Sequence, residues 1–336
     1  MLGFGRSGLA ATPPATGTPT LDHRNLGRSD LTIPPLMVGG NVFGWTADAA
    51  TSDTLLDALL DAGLTAIDTA DIYSAWAPGH SGGESERVIG DWLKRDSSRR
   101  AKVVIATKVG GKMGSGDSGL KPDWIAKACD NSLARLGVER IDLYQAHFDD
   151  AGTPLADTLG AFARLIEAGK VRAIGCSNYS VERLREALDI SAAHNLPRYE
   201  GLQPHYNLME RPLYEGPLED LCVAEDVGVI TYFSLAAGFL SGKYRSTADL
   251  GKSQRGGGMA KYLNDKGTRV LAAVDAAATE LSATAAQVAL AWVMARASVT
   301  SAIVSATSLD QVSDLVSATR LHLSADHIAA LDAASA

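Results

Sequence analysis

Two hydrophobic patterns alternate along this chain: short strand-like apolar runs, and longer segments in which apolar positions recur with helical spacing. The runs predict strands at residues 36–38, 64–68, 103–107, 141–145, 171–175, 200–203, 228–232 and 300–304. The longer segments predict helices at about residues 51–62, 84–95, 122–136, 154–168, 180–194, 215–226, 269–297 (two helices) and 308–318. Eight strands that alternate with helices form a parallel sheet, and eight is the number that closes a barrel.

Residues near the ends of these segments support the helix predictions. Candidate N-caps are Thr51–Ser52 and Ser180, first-turn prolines are Pro122 and Pro154, and glycines just past helix ends are Gly63, Gly137 and Gly169. Two short runs at 23–27 and 31–33 flank a turn and predict a hairpin. The expected fold is α/β, a (β/α)8 TIM barrel with an N-terminal β-hairpin and extended loops at its C-terminal face.

Composition and charge narrow the class of protein. Residues 1–20 are rich in Gly, Pro, Thr, Ala and Ser and predict a disordered tail, which leaves 21–336 as a single domain. A net charge of -8 argues against nucleic-acid binding, and no apolar run approaches the roughly 20 residues that span a bilayer. The three cysteines and the histidines lack metal-ligand spacing, and no secretory signal is apparent, so we expect a cytoplasmic protein without a metal.

Three predicted strands lead into chemically reactive side chains. The second ends at Asp68 with Tyr73 just beyond, the third leads to Lys108, and the fourth is followed by His147. The C-terminal ends of barrel strands converge on one mouth, where active sites are built. Loops at 74–83, 110–121 and 245–267 are expected at the same mouth.

These four side chains suit proton transfer to a carbonyl oxygen as hydride reaches its carbon. Tyr73 is the candidate acid, but a free phenol has a pKa near 10. The Lys108 ammonium is expected to lower that pKa, with Asp68 holding Lys108 charged and in place. His147 is expected to hydrogen-bond the substrate oxygen or to share the proton.

Two further motifs are interpreted as coincidental. Residues 3–8 spell GxGxxG, but no strand precedes them and no helix follows, as a dinucleotide site requires. Tyr262 and Lys266 spell YxxxK, but they lie in a predicted polar loop late in the chain.

The motifs around the four side chains resemble those of the aldo-keto reductases from about residue 22 to the end. The matching segments are Asp68-Thr69-Ala70-Asp71-Ile72-Tyr73, Gly83-Glu84-Ser85-Glu86, Ala106-Thr107-Lys108 and Asp142-Leu143-Tyr144-Gln145-Ala146-His147. The resemblance implies a catalytic tetrad of Asp68, Tyr73, Lys108 and His147.

The resemblance also implies a nicotinamide cofactor. Gly175-Cys176-Ser177-Asn178 resembles the segment whose Ser and Asn bind the carboxamide, and Gln203 the Gln that joins them. Tyr232 resembles the aromatic residue that stacks on the nicotinamide ring. The full expected cofactor set is Gly40, Asn41, Asp68, Ser177, Asn178, Gln203, Tyr232, Phe233, Ser234, Leu235, Gly238, Lys243, Ser305, Thr307 and Gln311.

Thr307 is a departure from that pattern. The family commonly has Gly-Ala-Arg where this chain has Ser305-Ala306-Thr307, and the Arg binds the adenosine 2′-phosphate. The hydroxyl groups here, helped by Lys252 or Arg255, are expected to take its place. NADP(H) is therefore the expected cofactor, with NAD(H) as the alternative.

The predicted activity is reversible, NAD(P)H-dependent reduction of an aldehyde or ketone to the alcohol. Trp45, Trp76 and Phe148 follow the first, second and fourth strands and are expected to line the substrate mouth. They suit a cyclic or bulky apolar carbonyl compound, whereas the polar loops suit a sugar-like one. The sequence does not indicate an oligomeric state.

Two alternatives come from other classes. One is a cofactor-sensing regulatory binding subunit with little turnover, as in barrels of this type that serve potassium channels. The other is a phosphate-binding isomerase or aldolase, which would need a Schiff-base lysine. Lys108 paired with Asp68 would stay protonated, a poor state for that nucleophile.

Overall fold

The computed structural model describes residues 21–336, in which a small hairpin precedes a closed ring of eight parallel strands. The strands are β1 Arg24–Asn25, β2 Thr32–Ile33, β3 Leu36–Gly39, β4 Ala66–Asp68, β5 Val104–Val109, β6 Ile141–Ala146, β7 Val171–Ser177, β8 Tyr199–Gln203, β9 Gly228–Thr231 and β10 Ser301–Val304. The hairpin strands β1 and β2 pair antiparallel, with Arg24 opposite Ile33. Around the ring the order is β10, β3, β4, β5, β6, β7, β8, β9. The predicted (β/α)8 barrel and its hairpin are confirmed.

Helices follow the strands and surround the ring. They are α1 Ala49–Asp61, α2 Glu84–Arg95, α3 Pro122–Leu136, α4 Leu155–Glu167, α5 Val181–His194, α6 Pro217–Ala224, α7 Asp265–Glu280, α8 Ala285–Met294, α9 Leu309–Ala318 and α10 Ala325–Ser335. The segment 269–297 does form two helices, α7 and α8. The last helix, α10, was not predicted.

Two of the residues predicted to mark helix starts have different positions in their helices. The N-cap of α1 is Asp48, whose side chain accepts a hydrogen bond from the Thr51 N–H, so Thr51 and Ser52 lie inside the helix. Pro154 is the N-cap of α4 rather than a first-turn residue. Ser180 caps α5 as predicted, with its hydroxyl accepting from the Arg183 N–H. A carboxylate is as good a cap as a hydroxyl, which is why the α1 start was misplaced.

Inward-facing side chains fill the barrel in layers, with one side chain from most of the strands in each layer. The layer farther from the strand C-termini contains Met37, Ala66, Ala106, Leu143, Ala173, Ile230 and Ile303. The hairpin covers this layer with Leu26, Leu31 and Ile33. A Cβ on Gly228 would lie 2.5 Å from a methyl of Leu26, so glycine at that position lets the hairpin reach the barrel. The hairpin therefore closes the end opposite the strand C-termini.

The loop at 245–267 is more ordered than predicted, because it contains the 3-10 helices Thr247–Lys252 and Gly256–Tyr262. The interpretation of Tyr262 as a residue of a polar loop is wrong. Tyr262 is buried, and its hydroxyl donates to Glu210 at 2.9 Å. The predicted tail and the GxGxxG sequence at 3–8 lie outside the described residues.

Candidate active site

A second inward-facing layer lies one step nearer the strand C-termini. Asp68, Lys108 and Gln145 each stand two residues after an inward apolar side chain, namely Ala66, Ala106 and Leu143. Side chains two apart on a strand share a face, so all three point into the barrel. All three are buried.

Lys108 is the centre of this layer. Its Nζ donates to Asp68 Oδ2 at 2.6 Å, to the Thr69 carbonyl at 2.8 Å and to the Tyr73 hydroxyl at 3.0 Å. An ammonium group has three N–H donors, and three acceptors surround this one. Lys108 is fully buried, so water does not compete for these hydrogen bonds.

Asp68 connects both sides of the layer. Its Oδ2 also accepts from the Tyr73 hydroxyl at 3.2 Å, while its Oδ1 accepts from the Gln203 side-chain amide at 2.9 Å and from that of Gln145 at 3.4 Å. Gln203 further donates to Gln145 Oε1 at 3.2 Å. The sequence interpretation assigned no role to Gln145, although its place two residues after Leu143 was a usable signal.

The expected lowering of the Tyr73 pKa by Lys108 is wrong for this arrangement. Burial, the charge of Asp68 and the hydrogen bond to Asp68 raise the pKa of Tyr73 well above the usual phenol value. Burial also lowers the pKa of Lys108, although Asp68 opposes that effect. Asp68 contacts both groups and balances the positive charge of Lys108. The positions of these residues along the sequence do not reveal this double contact.

His147 lies directly after β6 and is neutral. Burial and the nearby Lys108 charge lower its pKa well below the usual histidine value. Its Nδ1 is buried without a hydrogen-bond partner in the described part of the chain. The imidazole ring stacks on Phe148 at 4.5 Å and meets the Tyr73 ring edge-on at 6.0 Å.

The three aromatic side chains expected at the substrate mouth gather around these rings. Trp76 lies 5.9 Å from the Tyr73 ring and 5.6 Å from the Trp45 ring, while Phe148 covers His147. Trp76 and Phe148 are 49% and 46% exposed, so each presents an apolar face to solvent next to Tyr73 or His147. Trp45, Trp76 and Phe148 together form an aromatic wall that is open to solvent.

The residues expected at the nicotinamide carboxamide also form one group. Asn178 Nδ2 donates to the His147 carbonyl at 2.9 Å and to Ser177 Oγ at 3.1 Å, and Asn178 Oδ1 accepts from the Tyr232 hydroxyl at 2.7 Å. Ser177 in turn donates to the Gln203 carbonyl at 2.8 Å. This group therefore lies beside Asp68 and His147.

The segment after β9 turns sharply. Phe233, Ala236, Ala237 and Gly238 all have positive φ, and Phe233 is 44% exposed. Leu235 packs partly buried against the core. Among these expected cofactor contacts, Ser234 has a structural role as well, because its hydroxyl donates to the Ile303 carbonyl at 2.9 Å.

A third group lies where β3 and β10 end. Ser305 Oγ donates to Asn41 Oδ1 at 2.5 Å, and the Gly40 carbonyl accepts from Ser85 Oγ at 2.7 Å. Thr307 N–H donates to Gln311 Oε1 at 2.8 Å, at the exposed start of α9.

The two cations expected to help Thr307 have contacts of their own. Lys252 pairs with Asp249 at 2.7 Å, and the Arg255 guanidinium lies over the Trp45 ring at 5.4 Å. Lys243 has no carboxylate partner among residues 21–336 and lies 3.8 Å from where a Cβ on Gly238 would stand. Lys243 is thus available to an anionic group at this segment.

Neither a metal-holding cluster nor a membrane-spanning helix is present among the described residues. Within 21–336, no group of His, Cys, Asp and Glu side chains is arranged to hold a metal ion. None of the helices in that range is both long and apolar enough to cross a membrane.

Comparison with known proteins identifies relatives over nearly the whole chain. The model of the Aldo/keto reductase family matches residues 35–336. Protein tas of Escherichia coli (strain K12) is 30% identical, covering 93% of this chain and 97% of its own length. L-glyceraldehyde 3-phosphate reductase of Escherichia coli O157:H7 is 29% identical over 93% of this chain and 92% of its own.

A third relative is named as a subunit of an ion channel. A protein named as a probable voltage-gated potassium channel subunit beta, from Oryza sativa subsp. japonica, is 31% identical, covering 87% of this chain and 89% of its own length.

Proposed function

The chain belongs to the aldo/keto reductase family, and on that premise we propose that it reduces an aldehyde or ketone to the alcohol, reversibly, with Tyr73 as proton donor and NADP(H) as the preferred cofactor. The family implies NAD(P)H-dependent carbonyl reduction in general. The observation that carries the finer proposal is the contact of Lys108 Nζ with both Asp68 and the Tyr73 hydroxyl inside a buried layer.

The residues present fit a nicotinamide dinucleotide. Ser177, Asn178 and Gln203 offer hydroxyl and amide groups for the carboxamide, and the Tyr232 ring is available for stacking. Lys243 beside Gly238 offers a cation without a carboxylate partner in the described range for the phosphates. When bound, the reduced nicotinamide supplies the hydride.

Tyr73 then protonates the oxygen that becomes negative. An alkoxide is a much stronger base than a phenolate, so Tyr73 can transfer its proton even with a raised pKa. The Lys108 ammonium, 3.0 Å from the Tyr73 oxygen, stabilises the phenolate that remains. In the oxidative direction the same phenolate accepts the proton of the alcohol.

His147 orients the carbonyl in this proposal. Because the imidazole is neutral and its Nδ1 is buried, Nε2 is the nitrogen that carries the proton toward the substrate oxygen. Stacking on Phe148 fixes the ring plane. Asp68, which does not face the substrate directly, holds Lys108.

The aromatic wall of Trp45, Trp76 and Phe148 favours a cyclic or bulky apolar carbonyl compound over a sugar. Flat, half-exposed rings bind apolar surface well and offer few hydrogen bonds to hydroxyl groups. The activity named for the glyceraldehyde 3-phosphate reductase is the polar alternative.

The regulatory alternative rests on the relative named as a potassium channel subunit. A complete proton-transfer set does not distinguish the two functions, but turnover does. A binding subunit would bind the cofactor without reducing aromatic aldehydes at a measurable rate.

The decisive variant is Tyr73→Phe, which removes only the hydroxyl. We expect kcat for an aromatic aldehyde to fall by about 10² to 10⁴-fold, because general acid catalysis contributes that much, while NADPH affinity stays within about twofold. Steady-state kinetics and calorimetric titration measure the two quantities.

Tyr179→Phe is the matched control. Its hydroxyl lies 3.3 Å from that of Tyr199, outside the proton-transfer set, so its loss should leave kcat within about twofold. If Tyr73→Phe retained near wild-type turnover, Tyr73 would not be the proton donor.

A further inference from the structure

Asp71 is a buried carboxyl group near Lys108 that the proposed mechanism does not use. It is 1% exposed, and its backbone N–H donates to the Lys108 carbonyl at 3.2 Å. Neither of its carboxyl oxygens has a hydrogen-bond partner among residues 21–336. The Ile72 N–H lies near the carboxyl but outside hydrogen-bond geometry.

Four ionisable groups from four different elements lie close to this carboxyl. They are Glu86 on α2, Lys108 on β5, Arg135 on α3 and Tyr144 on β6.

The charges among these groups are already matched. Lys108 pairs with Asp68 at 2.6 Å, and Arg135 pairs with Glu86 at 2.6 Å. Glu86 also accepts from Thr107 Oγ1 at 2.6 Å. A charged Asp71 would be a third carboxylate against two cations, buried and without a hydrogen-bond donor among residues 21–336. Burying such a charge is strongly unfavourable.

Tyr144 strengthens this argument. Its hydroxyl is also buried without a partner among the described residues, and burial holds its pKa well above the usual phenol value. Tyr144 therefore stays neutral and brings no charge to Asp71, and the two cations nearby, Lys108 and Arg135, are already paired. The site suits an uncharged carboxylic acid.

We propose, on the basis of the reductase function above, that Asp71 is a positioning residue that works as a neutral carboxylic acid. Because a protonated Asp71 carries no charge, it does not compete with Asp68 and Tyr73 for the Lys108 ammonium. An ionised Asp71 would draw on the same ammonium and weaken its hold on the Tyr73 phenolate.

The proposal predicts a specific dependence on pH. Burial and the Glu86 charge raise the pKa of Asp71 to about 8, so its proton is lost just above neutrality. Wild-type kcat for reduction should therefore fall from pH 7 to pH 9. Asp71→Asn, which mimics the neutral acid, should keep kcat at pH 7 within about threefold, and its alkaline limb should move up by about one pH unit or more.

KM should be unaffected, because Asp71 does not face the substrate. Asp189→Asn, an exposed change on α5, is the matched control and should leave the pH profile unchanged. An Asp71→Asn profile that superimposes on the wild-type profile, or a loss of kcat at pH 7 as large as that of Tyr73→Phe, would overturn the proposal.

A second measurement needs no turnover, so it separates this proposal from the reductase assignment. A group whose folded-state pKa is raised stabilises the fold fully below its unfolded pKa, and this contribution is lost as pH rises toward the folded value. Stability of the wild type should therefore decline between pH 5 and about pH 8 relative to Asp71→Asn. Urea midpoints should diverge in favour of the variant, and a constant difference would contradict the proposal.

If Asp71→Asn does not fold, the wild type itself provides the test. Carbon NMR of labelled aspartate carboxyls should show one side chain that titrates near pH 8. If every aspartate titrates below pH 6, Asp71 is ionised in the working enzyme and the proposal fails.

Discussion

At the scale of single residues, the register of each strand decides which polar groups meet. Asp68, Lys108 and Gln145 come from three neighbouring strands, yet they lie in one layer because each stands two positions beyond an inward apolar residue. Their hydrogen bonds are made almost entirely to one another, to Gln203 and to Tyr73. Substitution of one of them changes the partners of the others.

Thr307 gives a prediction about cofactor choice. Thr307→Arg restores the residue that the family commonly has, and an arginine–phosphate contact is charge-assisted. We expect the ratio of NADPH to NADH affinity to rise by about tenfold, since such hydrogen bonds are worth about 1.5 kcal/mol or more. Calorimetric titration with both cofactors measures this ratio.

Ser317→Arg adds the same charge at an exposed position near the other end of α9 and should not change the ratio. An unchanged ratio in Thr307→Arg would show that the adenosine 2′-phosphate does not reach the start of α9.

Sequence reasoning could assign side chains to strand ends but could not describe the hydrogen bonds between them. Asp68, Lys108 and His147 follow apolar runs, and that spacing is visible in one dimension. The raised pKa of Tyr73 comes from its burial and from the charge and hydrogen bond of Asp68, and the spacing of residues encodes neither. Asp71 lies in the motif that runs from Asp68 to Tyr73, but its lack of hydrogen-bond partners among the described residues appears only in three dimensions.

At the scale of elements, strong periodicity was a reliable guide. Nine of the ten helices in residues 21–336 overlap predicted segments, because each buries a face of apolar residues. Helix α10 was missed because most of its apolar residues are alanines. Its buried side chains are only Leu331 and Ser335, so the two faces of the helix differ little in hydrophobicity.

Contact between α2 and α3 gives a prediction about one glycine. A Cβ on Gly90 would lie 2.2 Å from the Arg135 carbonyl oxygen, and backbone cannot easily yield. Gly90→Ala should therefore lower the free energy of unfolding by about 1–3 kcal/mol, the usual effect of overpacking. Urea denaturation measures this loss.

Gly160 is a matched control in the middle of α4, where a Cβ would meet only an arginine nitrogen at 3.8 Å. Gly160→Ala should raise the free energy of unfolding by about 0.5–1 kcal/mol, because alanine is the better helix former. If both variants changed the free energy of unfolding by the same amount, or if Gly90→Ala left it unchanged, α2 and α3 would be free to move apart.

At the scale of the whole molecule, Asp332 on α10 connects the end of the chain to two distant regions. Its carboxylate accepts from the Trp292 indole at 2.9 Å and pairs with Arg296, while its carbonyl accepts from Arg211 at 2.9 Å. The unpredicted helix is thus fastened to α8 and to the loop after β8.

Asp332→Ala should therefore destabilise the entire fold by about 1–3 kcal/mol, because it leaves the indole and a guanidinium without their acceptor. Urea denaturation followed by circular dichroism measures the change. Asp326→Ala, an exposed change in the same helix, should cost less than about 1 kcal/mol. Similar losses for both variants would show that Asp332 contributes only as a surface charge.

The aromatic wall also has an optical consequence. Two of the five tryptophans, Trp45 and Trp76, lie edge to face at 5.6 Å, and one of them is 5.9 Å from Tyr73. Tryptophan emission overlaps the absorption of reduced but not oxidised nicotinamide, and energy transfer falls steeply with distance. A nicotinamide delivered to Tyr73 would quench these two indoles far more than Trp92 or Trp292 in the outer helices. The protein's own fluorescence would then report the oxidation state of whatever cofactor it holds.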